Sequence, residues 1–386
     1  MTLTNLEKTP WPWFGGKSDA APAVWTALGD VEHYVEPFAG SLAVLMRRPH
    51  PCNRTYFSET VNDIDSLLCN AWRSMQMSPG KMAAAASWPV CEADLMARHL
   101  ALVAWRESGA AERLAADPTY HDPVMGGWWA WGQSCWIGGG WCSGTGPWHV
   151  GTDGRIAKQT RVGSREPGVK RKLPHISGAG QGVNRPQARE PGVSRRRPHL
   201  SNNGEGVNRP QAREPGLAVR DSDPIEYHPM MMPELLRWFR FLAARLRHVR
   251  ILNGDWTRVV THGALYTIKV NEGGNVGVFL DPPYGDVRTS DIYAQDSLTV
   301  ATEVRVWCVE HGSAPRMRIV LAGFEGEHEE LAKHGWRAVE WYRKGYMKGG
   351  MANISHTSVT QQTRERLWVS PGCLRDSWTL ALPFVS

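Results

Sequence analysis

Three stretches alternate too little to be surface strands and are too short to be helices. "HYVEPFAG" (33–40), "NVGVFLDPPY" (275–284) and "MRIVLAGF" (317–324) are apolar runs that end in turn residues. They predict strands buried on both faces. A fourth run ends in "ETVNDID" (59–65). Elsewhere the apolar residues recur at helical spacing. "SDAAPAVWTALG" (18–29) and "NDIDSLLCNAWRSM" (62–75) predict helices with Ser18 and Asp63 as candidate caps, and "MMPELLRWFRFLAARLRHV" (231–249) predicts an amphipathic helix. Strands alternating with helices on either side of a different middle predict an α/β protein, a doubly wound sheet interrupted by an insertion.

The middle has two textures. "GGWWAWGQSCWIGGGWCSGTGPW" (126–148) sets tryptophans among glycines, which suits core packing and would also suit stacking on an unpaired base. Cys135, Cys142 and His149 in this stretch have the wrong spacing and no fourth partner for structural zinc, so no metal is expected. Then "REPGVKRKLPHISGAGQGVNRPQA" (165–188) is followed at once by "REPGVSRRRPHLSNNGEGVNRPQA" (189–212), identical at 17 of 24 positions. With few apolar residues and no aromatic from 151 to 216, these copies offer little to stack into a solenoid. They read either as a duplicated linker or as an arm that lays arginines on phosphates, with Arg171, Arg185, Arg195, Arg196, Arg197 and Arg209 as candidate DNA contacts.

Charge sharpens that choice. The 386-residue chain carries a net +6, yet residues 151–216 alone hold fourteen Lys/Arg against five Asp/Glu, a balance of +9, so the remainder is about −3. The basicity belongs to one segment, which fits a polyanionic partner. No apolar stretch approaches the roughly 20 residues of a membrane span, and the N-terminus lacks the basic head and apolar core of a secretion signal. Seven scattered cysteines suggest reduced thiols, and a cytoplasmic location without membrane or obligatory protein partner is the expectation.

In doubly wound sheets ligands bind beyond the carboxyl ends of strands. There "VEPFAGS" puts Glu36 at a strand end and Gly40 in the next turn, while "NDID" supplies Asp63 as an acceptor for ribose hydroxyls. "WFGGKSD" offers two glycines and Lys17 before a helix. This set would equally suit a dinucleotide. In "FLDPPYG" (279–285), Asp281 ends a strand and the stiff Pro282–Pro283 pair cannot donate hydrogen bonds, so the turn is rich in acceptors beside the flat ring of Tyr284. A ligand with an amine on an aromatic plane, such as adenine, fits that arrangement.

"WFGGK" (13–17), "VEPFAGSLAVL" (35–45), "NDID" (62–65) and "FLDPPYG" (279–285), in this order, resemble the Dam-type class of N6-adenine DNA methyltransferases. The Trp-rich stretch and the "LPH-x-S-x-x-G-x-G" element look like phage and bacterial members. The resemblance implies a Rossmann-like S-adenosylmethionine-dependent methyltransferase core (1–78 and 249–386) with an inserted target-recognition region (79–248). It implies S-adenosylmethionine as methyl donor and double-stranded DNA as partner. Trp13 and Lys17 would line the methionine end of the cofactor, Glu36, Phe38 and Gly40 its amino and central parts, Asp63 its ribose and Asp255 its adenine. Asp281, Pro282, Pro283 and Tyr284 would form the catalytic turn. Leu42 departs from the pattern, since many members have glycine there. The alternatives are adenine in RNA, cytosine N4, or a DNA-binding relative that has lost catalysis.

Overall fold

The computed structural model describes residues 9–13, 16–49, 58–136, 141–142, 148–150, 156–158, 232–283, 297–341 and 365–374. Tyr284 and the six arginines of the repeat lie outside the described residues. The chain divides into two compact units, one of residues 1–8, 15–64 and 248–386, the other of residues 9–14 and 65–247. Apart from residues 9–14, the chain passes from the first unit to the second at 64/65 and returns at 247/248.

The first unit is built on seven strands: β1 (His33–Glu36), β2 (Ser58–Asp63), β3 (Val249–Asn253), β4 (Val276–Leu280), β5 (Met317–Phe324), β6 (Arg337–Val339) and β7 (Glu365–Val369). Their order is β3-β2-β1-β4-β5-β7-β6. The first five run parallel, and β7 runs antiparallel to both of its neighbours. The result is a mixed α/β sheet compatible with a Rossmann-like arrangement. β1 and β4 are buried along their whole length, as strands of a sheet covered on both faces should be; β4 is an unbroken apolar run, whereas β1 buries His33 and Glu36 with Tyr34 and Val35. Neighbouring residues on a strand point to opposite faces. Trp25 of helix Ala21–Leu28 packs on Tyr34, with ring centroids 4.7 Å apart. Val304 and Cys308 of helix Ser297–His311 join the other face, in the cluster with Val35, Val278 and Ile319. Among the described residues, no helix is long and apolar enough to cross a membrane.

The second unit is helical: Ser66–Met77, Pro79–Ala86, Glu92–Trp105, Ala111–Ala116, Pro123–Cys135 and Pro233–Leu246, with a short antiparallel ribbon of Trp148–Val150 against Ile156–Lys158. Two expected caps are corrected. Helix Ala21–Leu28 starts after Ala20 with no side-chain cap, so Ser18 lies outside it. Asp65, not Asp63, caps Ser66–Met77 by accepting from the Leu67 and Leu68 amides, because β2 runs through to Asp63 and the helix cannot begin before it. The Trp-rich stretch resolves toward packing. Trp129, Trp131 and Trp136 are buried, the Trp129 ring centroid lies 5.1 Å from that of Trp11, and the Arg98 guanidinium sits 4.2 Å over the Trp131 ring.

Candidate functional site

Strand order locates the place where chemistry can gather in the first unit. From β1 the chain steps to β2 and β3 on one side, then returns to β4 on the other side of β1. Loops leaving β1 and β4 diverge there, and in open α/β sheets the resulting crevice binds ligands. Glu36 is the last residue of β1, and Asp281 follows the last residue of β4. Strand alternation points both to the face that carries Tyr34 and helix Ala21–Leu28.

That helix brings in the third group. The Ala21 amide bonds the Lys17 carbonyl at 2.9 Å, so Lys17 is fixed as the chain enters the helix. The Trp25 indole donates to the Val44 carbonyl at 2.8 Å, which ties the same helix to the short helix Ala43–Met46 that follows the turn after β1. Lys17 is 4% exposed, and its Nζ lies 3.0 Å from Asp281 Oδ1 and 3.8 Å from Glu365 Oε1. Glu365 opens β7 and pairs with Phe324, the last residue of β5. Because β7 is antiparallel, its first residue lies at the sheet end where the parallel strands finish. Glu36 is buried and accepts from the Tyr34 hydroxyl at 3.1 Å. Burial pushes its carboxyl well above the usual carboxylate range; the Tyr34 hydrogen bond opposes this and the charge of Asp281 adds to it. Burial likewise pushes the Tyr34 phenol up, with Glu36 reinforcing it.

The turn after β1 is tightly held. Asp63, half-buried at the end of β2, accepts from the Gly40 amide at 2.9 Å. Gly40 has φ of +46° and Leu42 has φ of +56°, both left-handed. Asn62 donates to the Pro37 and Gly254 carbonyls, and Asn253 donates to those of Asp63 and Ile64, so two amides lock the loops beyond β1, β2 and β3. Asp255 is exposed and uses its carboxylate to cap the 3-10 turn Trp256–Val259. Phe38 stacks on Trp256, centroids 6.0 Å apart.

The first unit thus brings together Lys17, Glu36, Gly40, Asp63 and Asp281. Pro282 is buried beside Asp281 and Pro283 is half-buried. Trp13 belongs to the second unit, where its ring lies 6.3 Å from Trp129. Sequence reasoning missed Tyr34, Asn62, Asn253 and Glu365. Tyr34 was within reach, since residues two apart on a strand share a face. Glu365 gave no local signal, because nothing in "ERLWV" announces an antiparallel strand. Chemically, two carboxylates, Asp281 and Glu365, flank the Lys17 ammonium, an excess of negative charge that suits a cationic ligand. Among the described residues, no three His, Cys, Asp or Glu side chains group as a metal site. Compared with protein-family models and with curated proteins, the chain matches none.

Proposed function

We propose that the chain is an S-adenosylmethionine-dependent methyltransferase acting on N6 of adenine in double-stranded DNA, a Dam-type enzyme. The observation that carries the reading is the Lys17–Asp281 ion pair at the β1/β4 crevice. It links the "WFGGK" and "DPPY" stretches, more than 260 residues apart, beside Glu36 of "VEPFAG".

The residues fit such a cofactor. Its sulfonium and ammonium groups are cations, and the carboxylates around Lys17 supply the complementary charge. Asp63 at the end of β2 stands where an acid accepts from ribose hydroxyls in sheets of this type. It would do so while holding the Gly40 amide, so cofactor and turn share one anchor. S-adenosylmethionine supplies an electrophilic methyl group. The protein's task is to aim the amine: the Asp281 carboxylate and the Pro282 carbonyl both accept, so they draw the two N6 hydrogens and direct the nitrogen lone pair. Hydrogen bonds to a charged group contribute about 1.5–3 kcal/mol each. Tyr284 keeps its proposed role as a stacking ring. A base inside a duplex has to be flipped to reach the turn, at a cost of a few kcal/mol. The 151–216 segment, with its balance of +9, is the proposed phosphate-binding arm.

The test is incorporation of tritiated methyl groups into unmethylated duplex DNA, with methylated positions mapped in DNA from expressing cells. Label on adenine N6 is expected. At saturating cofactor, Asp281→Ala should transfer methyl groups about 10²-fold more slowly than the wild type, with Asp281→Asn losing less. Label found only in ribosomal RNA, or on cytosine N4, would replace the substrate; cofactor binding without transfer would point to an inactive relative.

A further inference from the structure

Lys17 is more deeply buried than either of its partners: 4% exposed, against 20% for Asp281 and 12% for Glu365. A buried ammonium is tolerated only when charge surrounds it. Held by Asp281 alone, it would draw that carboxylate firmly toward itself. Asp281 would then have less charge to offer an incoming amine, because the ammonium on its Oδ1 already neutralises part of it. Glu365 changes this balance. It approaches the same ammonium from the start of β7, a strand distinct from the one that delivers Asp281, and its longer distance makes it the weaker of the two partners.

We infer that Glu365 is a positioning residue for the reaction proposed above, holding Lys17 from the β7 side and so setting how firmly Lys17 holds Asp281. The inference rests on that reading for its consequence in catalysis, but not for the Glu365–Lys17 link itself. When the target amine takes Asp281, the ammonium leans on Glu365 and remains neutralised. Glu365 touches neither the methyl group nor the base in this scheme.

The experiment uses the full chain with Glu365→Gln, Glu365→Asp, Lys17→Met and the Lys17→Met/Glu365→Gln double variant. In methyl transfer from tritiated cofactor to duplex DNA, Glu365→Gln should lower kcat about tenfold, with the KM for DNA within about twofold. Glu365→Asp, which keeps the charge, should recover most of the loss. In the Lys17→Met background, Glu365→Gln should change kcat less than about twofold, because the residue acts through Lys17. Thermal melting of the ligand-free proteins reads the same link without turnover: the Tm losses of the two single variants should be non-additive in the double. Unchanged kcat in Glu365→Gln, equal losses in both backgrounds, or additive Tm losses would each overturn the inference. A wild type that transfers no methyl group would sink the methyltransferase reading alone, and the melting cycle would then decide the Glu365–Lys17 link.

Discussion

Leu42 holds a backbone conformation that glycine adopts without strain, at φ +56° and ψ +26°. It also buries its side chain completely. Left-handed backbone costs a residue with a Cβ roughly 1–2 kcal/mol, whereas deleting a buried leucine side chain costs about 2–5 kcal/mol. Packing outweighs strain, so Leu42→Gly should lower stability by about 1–3 kcal/mol rather than raise it. Urea denaturation measures this directly, and a stabilised variant would show that strain dominates the turn. The departure from the glycine pattern at this position is therefore a change in how the turn is held, with its left-handed geometry kept.

Among the elements, the helix Pro123–Cys135 shows how a glycine-rich sequence can stay helical. Asp122 caps it by accepting from the Val124 and Met125 amides, Pro123 occupies the first turn, and Asn70 exchanges two hydrogen bonds with the Asp122 backbone. A Cβ on Gly127 would lie 2.5 Å from the Ala85 Cβ and 2.6 Å from the Met82 carbonyl oxygen, so the glycine sets how closely helix Pro79–Ala86 approaches. Gly127→Ala gains about 1 kcal/mol of helix propensity but forces backbone apart, and overpacking costs about 1–3 kcal/mol or more. The expected outcome is a lower Tm with unchanged helical circular dichroism per folded molecule; a raised Tm would mean that the helix pair yields freely. β4 and β5 were legible because a strand buried on both faces is a largely apolar run with a turn behind it, and β1 because its short run ends in the turn residues "PFAG". β3, β6 and β7 were not. β3 alternates over only five residues and β6 is three residues long. The direction of β7 depends on tertiary pairing that no local pattern encodes. The same gap hid one member of the candidate site: Lys17, Glu36 and Asp281 stood in recognisable turns, whereas Glu365 reaches Lys17 only because β7 runs backwards. The cap at Asp65 was misread as Asp63 for a related reason, since pairing with Asn253 extends β2 by the residues that looked like a helix start.

For the molecule as a whole, stability depends on pH through buried groups. His33 and His328 are both buried in the first unit, and burial pulls each pKa from 6.5 down to about 4. Arg250 reinforces the shift at His33, whereas Glu327 opposes it at His328. The folded protein keeps both rings neutral while the unfolded chain takes up protons below about pH 6.5. Their contribution is fully present above pH 6.5 and is lost as pH falls toward 4, on the order of 3 kcal/mol for each histidine. Glu36 acts in the opposite sense, because its raised pKa favours the folded state at low pH and weighs against it as pH rises. Asp65, whose pKa burial also raises, acts in the same sense as Glu36. The histidine part is isolated by comparison: the change in urea midpoint between pH 6.5 and pH 4.5 should be less acid-destabilising in His328→Asn than in the wild type. Identical pH profiles for the two proteins would show that His328 does not resist protonation.

The pairing of His33 with Val276 sets the pace at which this protein can be made. β1 and β4 lie side by side yet are 243 residues apart in the chain, and the whole of residues 65–247 is synthesised between β2 and β3. At about 5–20 residues per second, an emerging β1–β2 pair waits roughly 10–50 s on the ribosome with an apolar edge uncovered. Non-local parallel pairing is also intrinsically slow once the chain is complete. Folding of the intervening unit shortens the search, because β2 and β3 are then joined through a compact body rather than a loose loop of that length. Slow refolding from denaturant and a yield that improves at low expression temperature are the kinetic marks such a layout leaves.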